Sequence, residues 1–201
     1  MKTQKYIFTL LVAIAAVIAY ASTASAGSIV GSKHDLSALT GETCGVCHAP
    51  HSDPALAIDD APLANHKVTG STFTLYASGT LDATVQQPGG TDVLCLSCHD
   101  GTVAIDSYGG LNPTSTNMIP AAALIGTDLG NDHPTSFDYG DVTGQTAEFQ
   151  PTPGALPLFS NTAPASTTFV RCATCHNVHD PATAPFLRTT KSALCTSCHI
   201  K

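Results

Sequence analysis

Cys44-Gly45-Val46-Cys47-His48 is the first of four copies of a five-residue motif, Cys-x-x-Cys-His, that together use every cysteine of the 201-residue chain. The motif places two thiols one helical turn apart, with an imidazole beside the second thiol. This arrangement is typical of c-type haem, whose two vinyl groups bond to the thiols while the imidazole binds the iron. The four copies therefore predict four covalently attached haem c groups.

The four motifs are numbered 1 to 4 in chain order, and each has two predicted attachment cysteines and one predicted proximal histidine. The attachment cysteines are Cys44 and Cys47, Cys95 and Cys98, Cys172 and Cys175, and Cys195 and Cys198. The proximal histidines are His48, His99, His176 and His199.

Zinc is the alternative ligand for paired cysteines. Motifs 3 and 4 are spaced C-x2-C-x19-C-x2-C, which lies within the zinc-ribbon range. A zinc site, however, gives no reason for a histidine directly after every second cysteine, and only 9 of the 201 residues are histidines. The repeated histidine therefore favours haem.

The remaining composition predicts little regular structure. The chain has 16 Gly, 13 Pro and no Trp, and it lacks long amphipathic patterns. We therefore expect a mostly irregular, loop-rich multihaem cytochrome c, with short α-helices at the motifs, wrapped round a row of four haems. Folding is expected to depend on the haem. Five aromatic residues are expected to pack on porphyrin edges or subunit contacts instead of forming a core: Phe137, Tyr139, Phe149, Phe159 and Phe169.

Residues 1–26 have the pattern of a secretory signal peptide. Lys2 and Lys5 precede an apolar run of about 15 residues, shorter than the roughly 20 that span a bilayer, and an A-x-A site ends at Ala26. Residues 27–201 then form a single domain without stable membrane insertion. This domain keeps 6 of the 8 Lys and Arg residues against 15 Asp and Glu, a formal charge near −9, which argues against a nucleic-acid partner.

An internal duplication organises this domain. Motifs 1 and 3 both continue as Cys-His-x-x-His followed by Asp-Pro-Ala, and each leads to a second motif preceded by leucine. The repeat defines two-haem units at 44–99 and 172–199. Residues 100–171 contain no cysteine and are predicted to wrap between the units and deliver His133 to an iron.

Five histidines remain for four sixth-ligand positions. Two imidazoles per iron give a low-spin centre without an open site, which suits electron transfer and not catalysis. The spare histidine is either a surface residue or a ligand to a neighbouring subunit, with His34 the first choice for that role and His51 the second. The distal candidates are His34, His51, His66, His133 and His179.

At these motifs the chain resembles the doubled-CxxCH multihaem cytochromes. More narrowly, it is similar to small tetrahaem cytochromes that metal-reducing bacteria and some archaea export and polymerise into filaments, the cytochrome nanowires. The residues that carry the likeness are Lys33-His34-Asp35, Cys44 to His51, Leu94 to Val103, Asp132-His133-Pro134, Cys172 to His179 and Leu194 to His199.

The resemblance implies a continuous row of bis-histidine haems in alternating stacked and T-shaped pairs. It also implies that one iron at the subunit boundary takes its histidines from two protomers. The expected function is extracellular electron transfer by a homopolymer, with other multihaem cytochromes as donors and an acceptor such as a metal oxide. A soluble periplasmic electron shuttle is the alternative, and an enzyme is not expected because the spare histidines exceed the number that the irons need.

Overall fold

The computed structural model describes residues 28–51, 58–61, 63–110, 117–144, 147–160 and 167–200. The predicted signal peptide and the Asp53-Pro54-Ala55 segment of the repeat lie outside these residues. None of the described helices is long and apolar enough to cross a membrane.

The helices and strands are short and are joined by long irregular segments. Five α-helices are present in the described chain: α1 (Ser37–Thr40), α2 (Thr91–His99), α3 (Tyr139–Thr143), α4 (Cys172–Cys175) and α5 (Lys191–Cys198). A 3-10 helix spans Ala121–Ala123. The strands are β1 (Phe137–Asp138), β2 (Phe159–Ser160) and β3 (Thr167–Val170). Three of the helices, α2, α4 and α5, carry attachment motifs.

Hydroxyl and carboxylate side chains begin two of these helices. The Asp138 carboxylate accepts the N–H of Gly140 at the start of α3, at 2.8 Å. The Thr190 hydroxyl accepts the N–H of Ala193 at the start of α5, at 3.4 Å. Both satisfy a backbone donor that the helix itself leaves without a partner.

The three strands form an antiparallel sheet in the order β1-β3-β2. Phe137 pairs with Val170 and Asp138 with Phe169, so the segment before motif 3 is held against the segment after His133. Residues 72–77, which the alternating sequence predicts to be a minor strand or an extended segment, make only an isolated bridge from Thr74 to Asp128.

A small apolar core lies beside this sheet. Its buried members are Ala83, Phe137, Tyr139, Val142 and Val170, and Phe149 packs against it. The expectation that the five aromatic residues form no core of their own is therefore wrong for three of them, Phe137, Tyr139 and Phe149. Their sequence spacing is irregular because they come from a strand, a helix and a loop that meet only in the folded chain.

Candidate haem-binding site

Each attachment motif closes one helical turn, and motif 1 does so outside the helices named above. The N–H of the proximal histidine donates to the carbonyl of the first cysteine at 2.9 Å in motif 1, 3.0 Å in motif 3 and 2.9 Å in motif 4. Motif 2 lies entirely within α2. Such a turn brings both sulfurs and the imidazole to the same side of the backbone, as one haem requires.

Three of the motifs also hold the proximal histidine in an antiparallel bridge. His48 pairs with Ala64, His176 pairs with Leu187, and His199 pairs with Phe149. Residues outside the motif thus fix the backbone at the point where the motif turn ends. This pairing also fixes the position of the Cα atom that carries the proximal imidazole.

The bridges of motifs 1 and 3 are built alike. Leu63 and Phe186 precede the bridging residues, and both adopt a positive φ, 61° and 62°, which is unusual for side chains of this size. Each accepts the N–H of the residue after the proximal histidine, at 2.8 Å from Ala49 and 2.7 Å from Asn177. Ala61-Pro62-Leu63 and Ala184-Pro185-Phe186 are the sequence counterparts of this repeat, a signal that the motif comparison alone misses.

Three proximal histidines lie opposite a second imidazole. The ring centres are 6.0 Å apart for His48 and His179. They are 6.1 Å apart for His99 and His34, and 6.4 Å apart for His199 and His133. These partners are three of the five distal candidates.

These separations fit two ligands on opposite sides of one iron. A metal–nitrogen bond of about 2.0 Å and a further distance of about 1.2 Å to the ring centre, taken on both sides, give about 6.4 Å between centres. The planes of the three pairs meet at 19°, 46° and 79°. This spread agrees with axial ligation, since each imidazole can rotate about its own bond to the metal.

Hydrogen bonds select the nitrogen that is available for a metal. Nδ1 lies 2.8 Å from the Ala123 carbonyl in His99 and 2.9 Å from the Pro185 carbonyl in His176. In His133, Nδ1 lies 3.0 Å from the Pro134 carbonyl. Because a carbonyl only accepts, Nδ1 carries the proton in each ring. Nε2 then presents its lone pair, the usual arrangement of a metal-binding histidine.

His34 is prepared for ligation by its surroundings. Burial, followed by the nearby His99, lowers the pKa of His34 below its usual value. The imidazole is therefore neutral at physiological pH and keeps a lone pair. Phe186 packs edge-on against it at 4.7 Å and restricts its orientation.

The two remaining distal candidates lie elsewhere. His66 is buried, with Nδ1 2.8 Å from the Lys67 carbonyl and Nε2 3.5 Å from the Cys98 sulfur. His51 is exposed. Within the part of the chain that the structure describes, His176 is the one proximal histidine without an opposed imidazole.

The cysteines of successive motifs are neighbours. Cys47 of motif 1 lies close enough to Cys95 for their charges to interact. The Cys172 thiol of motif 3 hydrogen-bonds with Cys95, and this contact, ahead of burial, raises the pKa of Cys172. Cys175 of motif 3 lies close enough to Cys198 of motif 4 for their charges to interact. The four attachment points therefore follow one another in chain order.

The donor set fits haem. Burial raises the pKa of Cys98 to about 12, so this sulfur is a protonated thiol before attachment. All eight cysteines are free thiols and none is used in a disulfide. The opposed imidazoles would hold the iron of a bound haem from the protein side. Among the described residues, no three His, Cys, Asp or Glu side chains converge as a metal-ion site.

Residues 164–201 match the family model described as the doubled CXXCH motif. The match contains motifs 3 and 4 and supports a multihaem c-type cytochrome family, with covalent haem c and electron transfer as its chemistry. Motifs 1 and 2 lie outside it. No curated protein is similar enough to the chain to count as a match.

Proposed function

We propose that this chain is an exported tetrahaem c-type cytochrome that carries electrons along a row of four bis-histidine haems. The observation that carries the proposal is the set of opposed imidazole pairs, 6.0 to 6.4 Å apart, at three of the four motifs. When bound, each haem would supply one-electron redox chemistry. The chain's own residues bind its edge through two cysteines and hold its two axial imidazoles.

The pairs support a ligand assignment for three of the irons. His48 would be ligated with His179, His99 with His34, and His199 with His133. The internal repeat supports His51 as the ligand opposite His176. His179 follows His176 by three residues and faces His48, so His51, which follows His48 by three, would be the reciprocal ligand.

We further propose that the chain forms an extracellular filament in which one iron receives a histidine from the next subunit. His34, the first choice from the sequence, lies opposite His99 of its own chain and is therefore less suited to this role. His51, the second choice, is exposed and accompanies the one proximal histidine, His176, that lacks an opposed ring in the described chain. A neighbouring subunit's His51 at His176 would join the rows of two protomers.

Such a filament would receive electrons from other multihaem cytochromes and pass them to an extracellular acceptor such as a metal oxide. The alternative function is a soluble periplasmic shuttle. The location of His34 favours this shuttle. Because His34 lies opposite His99 of its own chain, the N-terminal segment that carries it is not free to reach a neighbouring subunit.

The first experiment measures haem content and size together. The purified wild-type protein is expected to carry four covalent haems by mass spectrometry, with a wholly low-spin oxidised spectrum. Cell-surface material, sheared and examined by haem staining and electron microscopy, is expected to contain thin filaments of this protein. Monomers found only in the periplasm would support the shuttle. A chain with fewer than four haems would contradict the tetrahaem proposal itself.

A stoichiometric carbon monoxide complex in the untreated protein would contradict bis-histidine ligation. It would locate an open iron, with the motif 3 haem the first to examine. Its absence, with four low-spin haems, would leave no open iron for small-molecule catalysis.

A further inference from the structure

A buried ion pair lies between motifs 2 and 3. Asp92 in the first turn of α2 is 0% exposed, and Arg171, directly before α4, is 1% exposed. Their charged groups are 3.6 Å apart. Charged side chains are almost never buried to this extent unless they are paired.

The Asp92 carboxylate connects the two attachment helices. One oxygen accepts the backbone N–H of Cys172 at 2.5 Å, so it binds the first residue of motif 3. The other accepts the Ser136 hydroxyl at 2.5 Å. Cys95, the first cysteine of motif 2, follows Asp92 by one turn of α2. One side chain thus fixes the starts of two haem-binding turns.

The Arg171 guanidinium is also fixed by contacts with several residues. It donates to the Ser136 hydroxyl at 3.0 Å and to the Ser160 carbonyl at 3.3 Å, and it stacks over the Phe169 ring at 4.9 Å. This pocket therefore places a fixed positive charge in the interior of the domain.

Both charges lie beside the point where motifs 2 and 3 meet. Cys95 and Cys172 are in thiol contact, and each is an attachment point for a different haem. A fixed charge beside a redox centre changes the free energy of adding an electron. A negative charge disfavours reduction and a positive charge favours it.

We propose that Asp92 and Arg171 are positioning residues that set the reduction potentials of the haems at motifs 2 and 3 by opposing electrostatic effects. The same ion pair holds motifs 2 and 3 against each other. The inference rests on the proposed function, since it needs haem at both motifs. In the wild type the two charges change the haem potentials in opposite directions. Removing one charge therefore leaves the effect of the other charge on the potentials uncompensated.

The test uses the holoprotein and two single variants. Asp92→Asn is expected to raise the potentials of two of the four haems, and Arg171→Gln is expected to lower the same two. A unit charge about 12 Å from a redox centre, at an effective dielectric constant of about 20, changes an equilibrium about tenfold. For a one-electron couple that tenfold change corresponds to about 59 mV.

Potentials would be measured by redox titration followed by NMR of the haem methyl signals. Asp128→Asn is the matched control, because Asp128 also accepts a backbone N–H but is exposed, and it should leave all four potentials unchanged. A purely structural role would expose both haems to water in either variant and shift their potentials in one direction. Shifts of the same sign, or no shifts with four haems attached, would overturn the proposal.

If neither single variant matures with four haems, the double variant Asp92→Asn with Arg171→Gln decides. It restores charge balance and retains polar side chains at both positions. Recovery of four haems with near-wild-type potentials supports the electrostatic balance, whereas a defect as large as in the single variants overturns it. Wild-type haem content, measured first, separately tests the tetrahaem function.

Discussion

Removing the His133 imidazole should open one iron and leave the other three unchanged. His133 lies opposite His199 with ring centres 6.4 Å apart, and its Nδ1 is engaged with the Pro134 carbonyl. Nε2 is therefore the nitrogen that would bind the iron. In His133→Ala the motif 4 iron keeps only His199 as a protein ligand.

The expected fraction of high-spin haem follows from the number of motifs. One of four haems, a quarter of the total, should become five-coordinate and high-spin, while mass spectrometry still finds four haems because all eight cysteines remain. The reduced variant should bind one carbon monoxide per chain. The potential of this haem should also rise, since a strong-field ligand is lost.

Optical and electron paramagnetic resonance spectra would measure the high-spin fraction. Asp132→Asn is the control, because it alters the exposed residue beside His133 without removing an imidazole. A His133→Ala protein that stays fully low-spin and binds no carbon monoxide would refute the pairing with His199. A high-spin fraction near one half would mean that His133 also supports a second haem.

Three further predictions test other parts of the site and fold. His34→Ala should produce one high-spin haem, while His66→Ala should not, and the reverse result in the same spectra would assign His66 to motif 2. Cys98→Ala should lose or destabilise one haem, measured by intact mass and haem staining; an unchanged, stable set of four would contradict the assignment of this cysteine. Val142→Ala should destabilise the holoprotein by about 2 kcal/mol in thermal unfolding, because a buried side chain is truncated, whereas Val30→Ala should have little effect.

The local parts of the site are predictable from sequence because short-range geometry determines them. The Cys-x-x-Cys-His motif closes as one helical turn through a local hydrogen bond, and all four copies here do so. The small sheet is different. Its strands are two to four residues long, and Phe137 meets Val170 only through a long-range pairing that no local pattern encodes.

The buried ion pair between Asp92 and Arg171 depends on long-range packing in the same way. Asp92 and Arg171 appear in the sequence as ordinary polar residues, 79 positions apart. Their burial follows only when α2 and α4 pack together, and Ser136, at a φ of 58°, completes the pocket from a third segment. Neither residue is a candidate from sequence alone, since neither is part of a haem motif.

The roles of the histidines are only partly predictable from the sequence. Their number predicts bis-histidine ligation, but only the fold indicates which ring faces which motif. His179 faces His48 across the two repeat units, so the first haem of one unit would depend on a residue of the other. Because the repeat makes His51 the counterpart of His179, the same exchange should occur in reverse at His176. The two units would then be bound to each other through their irons, either within one chain or between neighbours. Mass, microscopy and the optical spectrum of a His51→Ala protein distinguish these outcomes. Loss of assembly with four haems retained places the exchange between subunits, and an unchanged assembly with one high-spin haem places it within the chain.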